Sequence, residues 1–374
     1  MKIFVSCIAF DEGKSGISDY ITSVVRIMLR EHKVYLLIYQ AEIPSFPLRH
    51  ENLIFIPVRN YLKNPLISMF WHLYCLPFTH SWKQYDLVFL PAGNRRLFAR
   101  YPAHTVVTFH DLSQFHIPHK YDRLRMAYIR LVIPHYIKKA PHIFAISENT
   151  KNDMLRYYHM EPHQIKVNYN GYDRTKLENV MPEAELRTRL GLQKPYLLYI
   201  SRLEHPGKNH LNLIRAYELL SDSIRQTYDL VLAGSPWSGS EAVYAYAEKS
   251  PCKSSIHFTG FISNELLAPL YKYAKLYVFP SLYEGFGIPM LEAMASGLPV
   301  ICANRSSLPE IGGNAVLSFD PELPAEIAAK IELVLLDEDQ YRRMRERGLV
   351  RASYFSWEEH VQTLIQAINK PGNL

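Results

Sequence analysis

Only four cysteines stand in the 374 residues, at Cys7, Cys75, Cys252 and Cys302, and no two are spaced C-x-x-C. Thiols so sparse frame no disulfide-bonded domain and supply no paired redox or zinc motif. No apolar run approaches the roughly 18 residues needed to span a bilayer. The nearest, "LISMFWHLYCLPF" (66–78), is broken by Ser68 and His72. The opening "MKIFVSCIAFDEGKSG" lacks a small-residue cleavage site and reads as a first buried strand, not a signal peptide. G-x-G-x-x-G does not follow that strand, and G-x-x-x-x-G-K-[ST] is missing throughout, so neither a nicotinamide dehydrogenase nor a P-loop enzyme has its fingerprint. No nucleic-acid-binding module is recognisable. The acidic run Asp337-Glu338-Asp339 sits in a charged, helix-like segment and reads as solvated surface. No metal is therefore expected, and no cofactor.

What is present is ordinary for a soluble protein with sizeable cores: 48% hydrophobic and 21% charged residues. The length suggests two domains at roughly 100–200 residues each. Short apolar runs at 2–8, 34–39, 53–57, 86–90, 105–109 and 142–146 alternate with helical patterns at 18–31, 121–139 and 148–158. Residues 171–195 are polar and read as a linker with one short helix. A second alternation follows, with strands at 196–200, 229–233, 255–259, 276–280, 299–302 and 315–318, and helices near 209–220, 240–248, 263–273 and 289–296. Alternation of this kind predicts parallel sheets covered by helices. The expected class is α/β, two Rossmann-like doubly wound domains, 1–170 and 171–354. Ligands of such sheets bind at the carboxyl ends of the strands, and a deep cleft between the two units is the expected site. Apolar residues at helical spacing and the pattern Ser356-x-x-Glu359 predict a closing helix over 355–374.

The net charge of +6 is uneven. Residues 1–170 hold 21 Lys and Arg against 12 Asp and Glu, or +9, and the remainder holds 21 against 24, or −3. A basic first half suggests an anionic partner, such as a membrane surface or a lipid phosphate; ordinary surface charge is the plainer alternative. The segment 60–78 is read either as a membrane-docking stretch or as a buried helix.

The stretch "FPSLYEGFGIPMLEAMASGLPV" (279–300) carries the chemistry. Its strand stops at Pro280, Pro289 suits a first helical turn, and Gly297 suits a helix end. Glu284 then lies in the loop and Glu292 about one turn inside the helix. The amides around Phe286, Gly287 and Ile288 can hold a phosphate, and Gly285 and Gly287 let a ligand approach the backbone. Carboxylates repel phosphate, so Glu284 and Glu292 are suited to hydroxyls. A ligand with phosphates in the middle and hydroxyls at both ends is a nucleotide sugar. In "YISRLEHPGKNH" (199–210), Arg202 and Lys208 follow the second unit's first strand, as one forked and one point-like cation suited to a diphosphate; a solvated Lys208 is the alternative. In "VVTFHDLSQF" (106–115), His110 ends a strand of the first unit, where it serves either structure or chemistry. Gly16 in "KSGISDY" (14–20) would admit a ligand to the backbone before a helix beginning at Ser18.

Together these residues resemble the retaining glycosyltransferases of the GT-B fold, in the family often called GT4. The likeness is strongest over 279–313 and extends through "YISRLEHPGKNH", "HFTGFISNELLAPLY" (257–271), "TFHDLS", "AISENTKNDML" (145–155), "VNYNGYD" (167–173) and "FSWEEH". The resemblance implies that Glu284 contacts hydroxyls of the transferred sugar and Glu292 the nucleotide ribose. It implies that Arg202, Lys208 and the amides of Phe286, Gly287 and Ile288 bind the donor diphosphate, with Gly285 and Phe261 also in the donor site. His110 would face the sugar near its reacting carbon. Gly16 would match a glycine loop that in many members reads Gly-Gly, where this chain has Ser15. The closing helix would cross back to the first domain.

The same resemblance implies a metal-independent hexosyltransferase acting with retention, by same-face attack. The wording of "YEGFGIPMLEAMASGLPVICAN" is similar to bacterial mannosyltransferases of surface-polysaccharide assembly, which makes GDP-mannose the expected donor; UDP-hexose and dTDP-rhamnose stay open. A sugar-nucleotide epimerase or phosphorylase on the same fold is the rival. The expected acceptor is a glycan or a polyprenyl-diphosphate-linked glycan. The expected location is cytoplasmic, in peripheral contact with the anionic inner face of the cell membrane, and no nucleic acid is expected.

Overall fold

The computed structural model describes residues 1–13, 15–118 and 120–369. The chain forms two compact units: Met1–Gly171 together with the segment from Ser356, and Tyr172–Phe355. In the first, β1 (Lys2–Ser6), β2 (Lys33–Tyr39), β3 (Leu53–Val58), β4 (Leu87–Leu90), β5 (Thr105–Phe109), β6 (His142–Ala145) and β7 (Ile165–Val167) make one sheet in the order β3-β2-β1-β4-β5-β6-β7. Every pairing is parallel. β1, β4 and β5 are buried along almost their whole length, as central parallel strands covered on both faces must be.

The second unit repeats the plan with β8 (Tyr196–Ile200), β9 (Asp229–Ala233), β10 (Ile256–Gly260), β11 (Leu276–Phe279), β12 (Val300–Ala303) and β13 (Val316–Phe319), ordered β10-β9-β8-β11-β12-β13. These pairs are parallel too. In both sheets the strand order reverses beside the first strand, between β1 and β4 and between β8 and β11. Connections there leave in opposite directions, which opens a crevice at the strands' carboxyl ends.

Several elements depart from the sequence reading. The first helix runs Gly16–Met28 rather than 18–31, because the Ser15 side chain accepts from Ser18 N–H and so caps it. The three residues of β7 are too few to show a period. Residues 60–78 contain a helical run made of Pro65–Phe70, a wider π turn Trp71–Cys75, and Leu76–Thr79. Pro77 cannot donate to Leu73 four residues back, and the Leu73 carbonyl accepts instead from Ala99 N–H at 2.8 Å. The expected helix 121–139 has the same form: Arg123–Ala127, a π turn Tyr128–Val132 ahead of Pro134, and Ile133–Ile137. In the second unit the helices Asp222–Thr227, Leu308–Gly312 and Pro324–Leu336 were not anticipated, while the helix-like segment around Asp337–Asp339 is the start of the helix Glu338–Ser353. Asp337 caps the last of these and Asp339 pairs with Arg342 on its surface.

The closing helix is Trp357–Asn369; residues 370–374 of the expected span lie outside the described residues. It packs on the helix Gly16–Met28, with Trp357, His360, Val361 and Leu364 buried. Gly171 lets it approach: a Cβ there would stand 2.2 Å from Trp357 N. Among the described residues no helix is long and apolar enough to cross a membrane.

Candidate functional site

In the second unit the crevice is built by two loops that leave neighbouring strands, Ser201–Asn209 after β8 and Pro280–Gly287 after β11. They are stitched together. Leu282 N–H donates to Gly207 O at 3.0 Å, and Asn209 Nδ2 donates to Pro280 O at 3.0 Å and to Pro321 O at 2.8 Å. The Tyr199 hydroxyl, fully buried, donates to Lys208 O at 3.0 Å and lies 2.8 Å from Ser281 Oγ. Lys208 Nζ thereby comes to 2.6 Å from Glu284 Oε1. Both side chains keep a minor exposure, 20% and 15%, enough to meet a ligand while most of the surrounding water is gone.

Glu284 is held from the other side as well. Its N–H donates to Ser306 Oγ at 2.8 Å, and the Ser307 hydroxyl lies 3.0 Å from Glu284 O and 3.1 Å from Phe286 O. Gly287 sits in the left-handed region at φ +102°, and a Cβ there would come within 3.0 Å of Leu308. From this turn the helix Ile288–Ala295 starts with Pro289 in its first turn. Glu292 is its fifth residue and is buried; its Oε2 accepts from the Tyr271 hydroxyl at 3.0 Å. Burial and the Glu292 charge both raise the Tyr271 pKa, so that hydroxyl stays a donor.

Arg202 is placed differently from Lys208. Its guanidinium lies 4.6 Å from the Trp237 ring centre and 3.8 Å from Glu204 Oε2, with the side chain 38% exposed. Phe261, beyond the edge strand β10, is 79% exposed. Gly285, Phe286 and Ile288 belong to the same turn, and Phe286 is buried with its ring 5.8 Å from that of Phe355. So the structure brings Lys208, Glu284 and the 285–288 backbone together, puts Glu292 one turn along, and leaves Arg202 and Phe261 on more open ground.

In the first unit His110 follows β5. Its Nε2 lies 2.6 Å from Pro91 O, and a carbonyl only accepts, so Nε2 carries the proton. Burial holds its pKa down to about 4, which keeps the ring neutral at pH 7. The His110 carbonyl accepts from the Thr150 hydroxyl at 3.0 Å. Tyr20 packs its ring at 88° to the imidazole, 4.6 Å between centres. Its hydroxyl lies 2.7 Å from His360 Nε2, while His360 Nδ1 donates to Tyr169 O at 2.9 Å. Gly16 is the first residue of its helix, and a Cβ there would meet nothing within 4 Å. Packing therefore does not demand glycine at 16.

Sequence reasoning gave no role to Ser281, Ser306, Ser307, Tyr199 or Tyr271. Ser306 and Ser307 lie inside the stretch 279–313, but nothing in their spacing shows that they pin a loop 22 residues earlier in the chain.

Each unit is thus a parallel sheet, and the second carries a lysine–glutamate pair and a glycine turn at its switch point. A family model described as Glycosyl transferases group 1 matches residues 182–351, and one described as Glycosyltransferase Family 4 matches residues 14–176. The O-antigen chain mannosyltransferase B of Escherichia coli is 34% identical over 272 residues, covering 70% of this chain and 69% of that one. The serotype-specific mannosyltransferase WbdA of Escherichia coli is 30% identical over 307 residues, 80% of this chain; the chain spans 36% of that longer protein. The solved sucrose-phosphate synthase of Thermosynechococcus elongatus shares the fold, at a TM-score of 0.76 and 19% identity, with 98% of each chain covered. The chain belongs to glycosyltransferase family 4.

Proposed function

We propose that the protein transfers a mannosyl group from GDP-mannose to a glycan or polyprenyl-diphosphate-linked glycan, in the synthesis of a cell-surface polysaccharide, with retention of configuration and without a metal. The observation that carries the reading is the Lys208–Glu284 pair at the β8/β11 switch point. The relatives named for O-antigen mannosyl transfer support mannose over other hexoses.

In this reading the donor diphosphate lies along the amides of Phe286, Gly287 and Ile288, with Lys208 and Arg202 against its oxygens. Glu284 accepts from sugar hydroxyls and Glu292 from the ribose. As the bond from the sugar's anomeric carbon to the phosphate oxygen breaks, negative charge grows on the leaving diphosphate. Fixed cations and amides stabilise that charge more than they stabilise the ground state. The acceptor oxygen bonds to the same face of the carbon, and its proton passes to the departing phosphate oxygen. The neutral His110, with Nε2 already bonded to a carbonyl, is suited to holding the sugar rather than to taking that proton. The first unit is the acceptor unit, working from the cytoplasmic side in peripheral contact with an anionic membrane.

Thermal stabilisation by a panel of nucleotide sugars tests the donor, and GDP-mannose is expected to give the largest rise. Release of nucleoside diphosphate that depends on added acceptor separates a transferase from an epimerase on this fold. Release unchanged by chelator is expected. Release that ceases with chelator and returns with a divalent ion contradicts metal independence.

A further inference from the structure

At the carboxyl end of β4, on the switch point of the first unit, the chain reads Pro-Ala-Gly-Asn-Arg-Arg (91–96). Gly93 lets this turn lie flat on β5. Its N–H donates to Thr108 O at 2.8 Å, and a Cβ there would stand 2.5 Å from a Val107 methyl. The Pro91 carbonyl of the same turn accepts the His110 hydrogen bond. Arg95 lies close enough to His110 to add, after burial, to the cost of charging the ring. One short turn thus orients His110 and carries two consecutive guanidinium groups, of which Arg95 is the one near the ring.

Arg96 is the unusual one. Its Nη1 donates to Arg95 O at 2.9 Å, and its Nε is buried with no partner. The hydroxyls of Tyr39 and Tyr128 are its polar neighbours, and among the described residues no carboxylate pairs with Arg95 or Arg96. A half-buried cation without a counter-ion is costly. The forked guanidinium is the side chain that best matches phosphate.

The surroundings say what kind of phosphate. Tyr128 belongs to the helical run 123–137, and His72, whose pKa responds to the Arg96 charge after burial, belongs to the run 65–79. The two runs are joined by the Tyr74 and Tyr136 hydroxyls, 2.7 Å apart. Phe70, Phe78, Leu124 and Leu131 on these runs are each 60% exposed or more. Residues 52–147 hold twelve Lys and Arg against three acidic residues. Exposed apolar side chains amid cations suit an anionic lipid surface.

We propose that Arg96, with Arg95 beside it, receives the phosphate of a lipid-linked acceptor whose hydrocarbon part is met by the exposed apolar side chains of the two helical runs. This rests on the transferase reading, and it assigns the acceptor's anchor a place in the first unit.

The full chain is sedimented with phosphatidylcholine vesicles, with the same vesicles carrying undecaprenyl diphosphate, and with vesicles carrying phosphatidylglycerol at matched surface charge. Retention is expected to be highest on the diphosphate vesicles. Arg96→Gln is expected to lower it about fivefold, the contribution of one cation at an anionic surface, with an unchanged thermal midpoint. Phe70→Asp and Leu124→Asp, at exposed positions, are expected to weaken retention on both anionic vesicles. Equal retention on all three vesicles, or an Arg96→Gln variant that binds like the parent chain, overturns the proposal. Should Arg96→Gln lower the thermal midpoint, Arg95→Gln, at a half-exposed position, decides by the same fivefold criterion. Release from the diphosphate vesicles by inorganic pyrophosphate at equal concentration assigns the site to a free anion and overturns the lipid assignment. Donor hydrolysis measured in the same samples reports the transferase reading separately, so vesicle binding can fail while that reading stands.

Discussion

The Lys208 ammonium stands 2.6 Å from Glu284 Oε1, joining the loops that leave two neighbouring parallel strands, β8 and β11. Each charge holds the other in a partly dry site; in the proposed function a donor would take both, the lysine by its phosphates and the glutamate by its sugar hydroxyls. Lys208→Ala and Glu284→Ala are each expected to lower kcat/KM at least about tenfold, or ~1.4 kcal/mol of transition-state stabilisation. The double variant should lose less than the sum, because the two side chains share one interaction. Steady-state kinetics on variants with parent-like circular dichroism checks this; near-normal rates in both single variants sink the donor-site assignment.

Two glycines should separate stability from activity. Gly287 has φ +102° and faces Leu308 at 3.0 Å, so Gly287→Ala is expected to cost about 1–2 kcal/mol in urea denaturation. Gly16 opens a helix, carries no positive φ and has free space around it. Gly16→Ala should leave stability level or slightly raised. If the free space at 16 belongs to a ligand, transfer falls all the same. A fall in stability at 16 together with activity, or parent-like transfer, refutes a ligand role for that position.

Ser307 bridges the Glu284 and Phe286 carbonyls from a buried position. Ser307→Ala removes a donor from one buried and one half-buried acceptor, and a loss of about 1–2 kcal/mol in stability is expected. The effect should appear in KM for the donor more than in kcat, because the hydroxyl holds the loop and touches no reacting atom. A kcat loss with KM unchanged would give Ser307 a different role.

The two sheets were legible because parallel strands buried on both faces leave continuous apolar runs, and twelve of the thirteen strands stood out that way. β7, at three residues, is shorter than any periodic signal. Glycine and proline punctuation showed the turn at 285–289, and the order of the loops along each strand's end gave the neighbourhood of Lys208 and Glu284. Partners distant in sequence were not legible. Ser306 with Glu284, Thr150 with His110 and Tyr20 with His360 meet through tertiary packing, and no local pattern encodes a partner 22, 40 or 340 positions away. Residues 60–78 were ambiguous for a different reason. The run buries Ser68, His72 and Leu73 while exposing Leu66, Ile67 and Phe70, and a π turn shifts the face halfway along.

Four histidines make folding sensitive to acid. Burial is the first cause for each, lowering His110 and His360 to about 4 and His72 and His210 to about 3. In the unfolded chain the same rings titrate near 6.5. Between those values the unfolded state binds protons that the folded state refuses, so stability is complete above about pH 6.5 and falls as the pH drops. Each ring can add up to about 1.4 kcal/mol per pH unit within its own window. His360 can be isolated: its Nδ1 donates to Tyr169 O, its Nε2 lies 2.7 Å from the Tyr20 hydroxyl, which itself donates to Thr108 Oγ1, and burial makes charging the ring costly. Urea midpoints measured from pH 7 to pH 4.5 should fall steadily for the parent chain. His360→Gln, whatever its starting stability, should fall less steeply, because one proton has left the difference between the two states. A parallel decline in the two proteins would mean that His360 takes up its proton as readily folded as unfolded, and its buried contact with Tyr20 would then be no barrier to charge.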